Sequence, residues 1–215
     1  MGHKRTRSKS RCPKCLLRSV LCVCDLMPHL NLSTKVIVLL HSRESHRPTN
    51  TGRLMTRCLD SSEIRLRGLK SSPMDLENIF SPERETLLLY PSEKADIISP
   101  EYLQKIKKPI TLLVPDGSWR QASKMPKREE LLKNIPHIKL AHGPEPIYRL
   151  RKETKIGGMA TFQAIARALG VIEGSKVQDE LDKFFDIVAE RTLWSRARLA
   201  LEDCKSKIPD QARFA

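Results

Sequence analysis

Three short apolar runs, each cut off by a polar turn, restrict this chain to few folds. Val36–Leu40, Thr86–Tyr90 and Ile110–Val114 have strand length and are continuous rather than alternating. A strand that is apolar on both faces must be covered on both, as in a parallel sheet layered by helices. Ile138–Ala141 adds a fourth candidate strand. Helical stretches are expected at Thr51–Leu59, Glu101–Ile106, Trp119–Leu132, Met159–Leu169 (closed by Gly170) and Lys176–Ala200. Strands alternating with helices predict an α/β fold with a mostly parallel sheet and flanking helices. A chain of 215 residues can bury a core of its own without disulfides.

In open α/β sheets, ligands lie beyond the carboxyl ends of the strands. Here those ends carry His41 to Glu44, Tyr90-Pro91-Ser92 and Pro115-Asp116-Gly117-Ser118-Trp119. Asp116 or Ser118 can simply cap the following helix while Trp119 packs. The same atoms also offer a carboxylate base, a hydroxyl and a stacking face at a helix start. His41 is a candidate acid or base, or a hydrogen-bonded structural residue. Asn50-Thr51-Gly52 reads as a helix start. The sequence has no GxxxxGK[ST], GxGxxG or HExxH, which argues against the common NTPases, Rossmann dehydrogenases and zinc proteases.

Four of the six cysteines fall together, as Cys12-x2-Cys15-x6-Cys22-x-Cys24. Two close pairs joined by a short loop suit a tetrahedral thiolate site, with structural Zn²⁺ as the default ion. An Fe–S cluster also accepts four thiolates, and paired disulfides are the oxidised alternative. Cys58 and Cys204 stand apart.

Lys and Arg number 39 against 25 Asp and Glu, a net charge of +14. Such an excess suits a polyanion, with nucleic acid favoured over a membrane surface because no amphipathic basic helix with an aromatic face is evident. The excess is clustered. Lys4 to Arg18 holds seven cations before the first acid, Asp25; further groups contain Arg43 and Arg47, then Arg120, Lys124 and Arg128, then Arg149 and Arg151. No apolar run reaches 18 residues, so no transmembrane helix is expected. The basic N-terminus continues into polar residues and cysteines, unlike a secretory signal, and a cytoplasmic monomer is expected. Residues 1–30 read as a basic, cysteine-rich segment and 31–215 as the main domain.

Taken in order, the cysteine cluster, Asn50-Thr51-Gly52, Tyr90-Pro91-Ser92, Asp116-Gly117-Ser118-Trp119-Arg120-Gln121-Ala122 and Tyr148-Arg149-Leu150-Arg151 resemble the DTW-domain family over roughly residues 11–200. The resemblance implies a SPOUT-like α/β domain, knotted in its C-terminal part, and tRNA-uridine aminocarboxypropyltransferase activity. That reaction moves the 3-amino-3-carboxypropyl group of S-adenosylmethionine to N3 of a tRNA uridine and leaves methylthioadenosine. It implies Asp116, Ser118 and Trp119 as catalytic residues. Pro91, Ser92, Asp116, Leu150, Thr161 and Gln163 would bind the cofactor. The RNA side follows from charge, with Arg43, Arg47, Lys124, Arg149 and Arg151 as the expected RNA-binding residues. The chain departs from the family pattern in carrying Ser118 where Thr is usual. It also reads Met159-Ala160-Thr161-Phe162-Gln163-Ala164 where Leu-Ser-Thr-x-Glu-Ala is usual. Competing readings are a SPOUT-type RNA methyltransferase, aminocarboxypropyl transfer to ribosomal RNA, and an inactive zinc-bearing RNA-binding protein.

Overall fold

Each apolar run forms a strand, and each is covered on both faces. The structure, a computed structural model, describes residues 10–69, 74, 76, 79–144 and 158–213. In chain order the elements are Lys35–His41 (β1), Gly52–Met55 (α1), Ser62–Arg67 (β2), Glu85–Leu89 (β3), Asp96–Ile97 (β4) and Pro100–Leu103 (α2). Ile110–Asp116 (β5), Trp119–Ala122 (α3), Met125–Arg128 (α4), Glu130–Lys133 (α5) and His137–Lys139 (β6) follow. Thr161–Ile172 (α6), Ser175–Ser195 (α7) and Asp210–Arg213 (α8) complete the set.

The six strands make one sheet in the order β2-β1-β5-β3-β6-β4, and every pairing is parallel. Alternation along a strand divides the core in two. Val36, Val38 and Leu40 of β1 pack with Leu112 and Val114 of β5 under α6 and α7. Ile37 and Leu39 point the other way, with Leu113 and Leu88, against Met125 and Leu132. In α6, Phe162, Ile165, Ala166 and Leu169 are buried, the spacing of one helix face. Phe162 stacks on Phe185 of α7 with ring centroids 4.8 Å apart. Burying a Phe ring contributes about 1.5–3 kcal/mol, so this contact fixes where α6 begins. At its other end Glu173 accepts from Thr34 N (2.7 Å) and Ser33 Oγ (2.8 Å), tying α6 to the start of β1.

The cysteine-bearing segment shares the larger core: Leu21 and Val23 are buried in it with Phe162 and Phe185. Arg191 of α7 donates to the Cys22 carbonyl (2.5 Å) and to that of Lys207 (3.4 Å). Among the described residues no helix is long and apolar enough to cross a membrane.

Several boundaries differ from those the sequence suggests. β5 runs through Pro115 to Asp116, in register with β1 at Leu40; a proline removes one donor but not the register. The helix expected over Thr51–Leu59 is one turn: the backbone then tightens, with Arg57 N donating to Leu54 O and Cys58 N to Met55 O, and Leu59 bridges to Leu30. Trp119–Leu132 is three short helices, since Pro126 restarts the chain at α4 and Glu129 is extended between α4 and α5. α6 continues through Gly170, which lies against the Gln178 side chain instead of ending the helix. α7 stops at Ser195, where the chain turns into positive φ at Ala197. β2 and β4 were not expected. Ser62–Arg67 carries three charged residues on a half-exposed edge, and β4 has two residues.

Candidate active site

Asp116 ends β5, the strand between β1 and β3, and is only 5% exposed. A buried carboxylate needs hydrogen-bond donors, and distant segments supply them. Asn50 Nδ2 donates to Oδ2 at 2.6 Å and Thr161 Oγ1 to Oδ1 at 2.8 Å. Asn50 is itself held, because its Oδ1 accepts from Arg53 N at 2.9 Å. Gly52 lies so close that a Cβ there would collide with Asp116 Oδ2. Sequence segments 50–52, 116–118 and 160–163 thus meet at one point beyond the sheet.

The start of α6 explains two of the chain's unusual residues. Ala160 occupies the N-cap and has no side-chain acceptor for the amides that a helix start leaves unpaired. Thr51 Oγ1, 111 residues away, accepts from the Phe162 amide at 3.3 Å. Gln163 turns back so that its Oε1 accepts from Ala160 N at 3.4 Å, one half of a capping box. The Ser-to-Ala and Glu-to-Gln departures therefore fall on helix capping, with Thr51 supplying the missing acceptor.

Ser118 caps α3: its Oγ accepts from Gln121 N (3.3 Å), and its own N–H donates to Gln121 Oε1 (2.8 Å). Its side chain is exposed, and Trp119 next to it is half-buried. Ser92, after exposed Pro91, lies 2.7 Å from His137 Nδ1, so the structure places it at the β3–β6 end of the sheet. His137 is buried; desolvation, then nearby Lys94, hold its ring below the ordinary histidine pKa, leaving a neutral hydrogen-bonding partner. His137 was missed by the sequence reading, being a strand residue without a motif.

Arg43 and Lys124 line a cavity of about 540 Å³ that also includes His41 and Ser118. Arg47 instead pairs with Glu44 at 3.2 Å. Leu150, Arg149 and Arg151 lie outside the described residues.

The four clustered sulfurs all lie within 4.8 Å of one another. Cys12 and Cys24 are 3.6 Å apart, and Cys15 and Cys22 3.8 Å. A tetrahedral site with metal–sulfur bonds near 2.3 Å has edges of about 3.8 Å, so the set fits a metal ion. Burial acts to raise the Cys12 thiol, but the Cys15 and Lys14 backbone amides and neighbouring sulfurs outweigh it and bring the pKa to about 6. Burial and adjacent thiols push Cys15 and Cys24 upward. A bound cation would reverse that trend by favouring thiolates.

Comparison with known proteins places these features in one family. The sequence model of the DTW domain matches residues 9–193. The chain is 29% identical over 173 residues to tRNA-uridine aminocarboxypropyltransferase 2 of Drosophila melanogaster, covering 77% of this chain and 67% of that one. It is 24% identical over 172 residues to the Macaca fascicularis protein of the same name, covering 78% of this chain and 58% of the relative. Over 200 residues it is 27% identical to tRNA-uridine aminocarboxypropyltransferase A of Arabidopsis thaliana, covering 79% and 76%. The chain thus spans under two thirds of the macaque relative's length. No solved structure matches it.

Proposed function

From the fact that this chain belongs to the DTW domain family, we propose that it transfers the 3-amino-3-carboxypropyl group of S-adenosylmethionine to N3 of a uridine in tRNA. The observation that carries the reading is the meeting of Asn50, Thr161 and Gly52 around Asp116 at the carboxyl end of a central strand. Ligands of open α/β sheets bind at that edge. The relatives' names supply the chemistry.

The donor's sulfonium supplies an already activated carbon, so the protein has to hold the uridine and take its N3 proton. The bond from N3 to Cγ forms as the Cγ–S bond breaks. The electron pair stays on sulfur, and the proton passes to a carboxylate. Asp116 is that base, or the group that orients the nucleophile. Asn50 and Thr161 hold its two oxygens from the protein side, so its position is set before substrate arrives. Positioning of this kind can supply on the order of 7–11 kcal/mol of barrier reduction, and a placed base roughly 10²–10⁴-fold. Exposed Ser118 and half-buried Trp119 follow directly on Asp116 in the chain and contact the substrates in this reading. Pro91, Ser92, Leu150, Thr161 and Gln163 belong to the donor side, with Ser92 oriented by His137.

The domain is SPOUT-like in this reading. The return of α6 to the end of β5 supports it; residues 145–157, between β6 and α6, lie outside the described residues. Zinc is the ion we assign to the cysteine set, for its closed four-thiolate chemistry. Arg43, Arg47, Lys124, Arg149 and Arg151 contact the RNA backbone, and the cytoplasm is the expected compartment.

The co-product tests the reaction class. Incubation with tRNA and S-adenosylmethionine should release methylthioadenosine in step with aminocarboxypropyl-uridine. Release of S-adenosylhomocysteine instead would make the protein a methyltransferase and overturn the proposal.

A further inference from the structure

We infer that the cavity beside the Asp116 cluster is a phosphate cradle, gripping two successive phosphates of the RNA next to the uridine being modified. This rests on the reading of the chain as an RNA-modifying enzyme, and it adds a specific site to it.

The cavity opens where β1, β2 and β5 end. Arg43, Arg67, Arg120, Lys124 and Arg128 line it, together with His41. No carboxylate is among the lining residues described. Arg67 is neutralised by Glu129 at 2.7 Å. Among the described residues, no carboxylate pairs with Arg43, Arg120, Lys124 or Arg128. Lys124 and Arg128 lie one helical turn apart, where like charges repel. The free protein thus concentrates uncompensated positive charge in one concavity of about 540 Å³, a size that admits a stretch of backbone rather than a lone ion.

His41 adds a donor without adding charge. Its Nδ1 accepts from Arg43 N at 3.3 Å, which leaves the ring hydrogen on Nε2. Burial first, then Arg67 and Arg43, keep the ring neutral. Its position ties the cavity to the reaction centre: a Cβ built on Gly117, next to Asp116, would lie 3.4 Å from the His41 Cβ.

The methionine end of the donor is the rival anion. It carries an ammonium beside its carboxylate and a sulfonium three carbons away. A basin of unpaired cations repels both positive groups, and a single carboxylate would leave most of the basin's charge unanswered. Successive phosphodiesters carry the required charge with no cation of their own. Held there, the RNA backbone would bring the adjacent base to the end of β5.

The test uses the double variant R120Q/R128Q. Both side chains are exposed and without carboxylate partners among the described residues, so folding should be retained, as a thermal melt would check. K124Q provides a second, single-site probe. Inorganic pyrophosphate, titrated calorimetrically, should bind wild type and bind the double variant at least about fivefold more weakly; K124Q should weaken it in the same direction. The dependence of log K for tRNA on log salt should become shallower by about 1.4, since each single-strand phosphate contact contributes roughly 0.7. Affinity for S-adenosylmethionine should be unchanged. Absence of pyrophosphate binding to wild type would overturn the cradle. So would a variant that loses S-adenosylmethionine affinity while keeping the tRNA salt slope, because the basin would then serve the donor. The pyrophosphate arm needs no turnover, so a wild-type protein that makes no modified uridine would sink the enzymatic reading without deciding the cradle.

Discussion

Asp116 has its two oxygens occupied by Asn50 and Thr161, and Gly52 keeps the adjacent space open. Replacing Gly52 by Ala would drive a methyl group into Oδ2. Overpacking of this kind typically costs about 1–3 kcal/mol, and here the strain falls on the carboxylate itself. We expect G52A to lower the urea midpoint and to reduce product formation by more than the stability loss accounts for. Wild-type stability together with wild-type turnover would mean that the carboxylate is free to move aside. The sequence makes Asp116 and Ser118 legible because both follow an apolar strand and open a helix. Gly52 is not legible in the same way. Its constraint comes from a residue 64 positions later, and a turn explains an Asn-Thr-Gly triplet equally well.

Among the elements, α6 shows best how sequence and structure diverge. Its apolar spacing marks a helix, but Ala160 and Gln163 suggest a weakened site when read against the family pattern. The structure moves both to the cap and supplies Thr51 as the missing acceptor. A contact between residues 111 apart leaves no local trace. Gly170 misleads for the opposite reason. A helix-ending signal on local grounds, it is kept small by Gln178 of the neighbouring helix. The cysteine spacing, by contrast, is a local signal, and the four sulfurs do converge. What the spacing does not convey is how far the segment is built into the main core through Leu21, Val23 and Arg191. Its loss should therefore spread. C22S/C24S should release the metal, one zinc per chain by elemental analysis, and lower the melting temperature of the whole protein in one cooperative step. A metal-free wild type, or an unchanged melt in the variant, would contradict that account.

At the scale of the molecule, the sheet order puts β5 between β1 and β3, and its carboxyl end meets the 50–52 segment and the start of α6. Continuous apolar runs announced a sheet covered on both faces, and the alternating core residues of β1 bear that out. Strand order could not be read, because it depends on which buried edge each run finds, and β2 with its charged residues did not look like a strand at all. The cationic clusters were visible as groups. Only folding joins Arg43, Arg67 and Arg120 around one cavity, since they come from three separate segments. The account as a whole stands on Asp116 serving the transfer. Single-turnover reactions of wild type and D116A, with tRNA and S-adenosylmethionine both saturating and the nucleosides resolved by mass spectrometry, test this most directly. The account predicts aminocarboxypropyl-uridine from wild type and a rate at least about 10²-fold lower from D116A, with tRNA affinity retained. A D116A protein that forms the same nucleoside at the wild-type rate would contradict it.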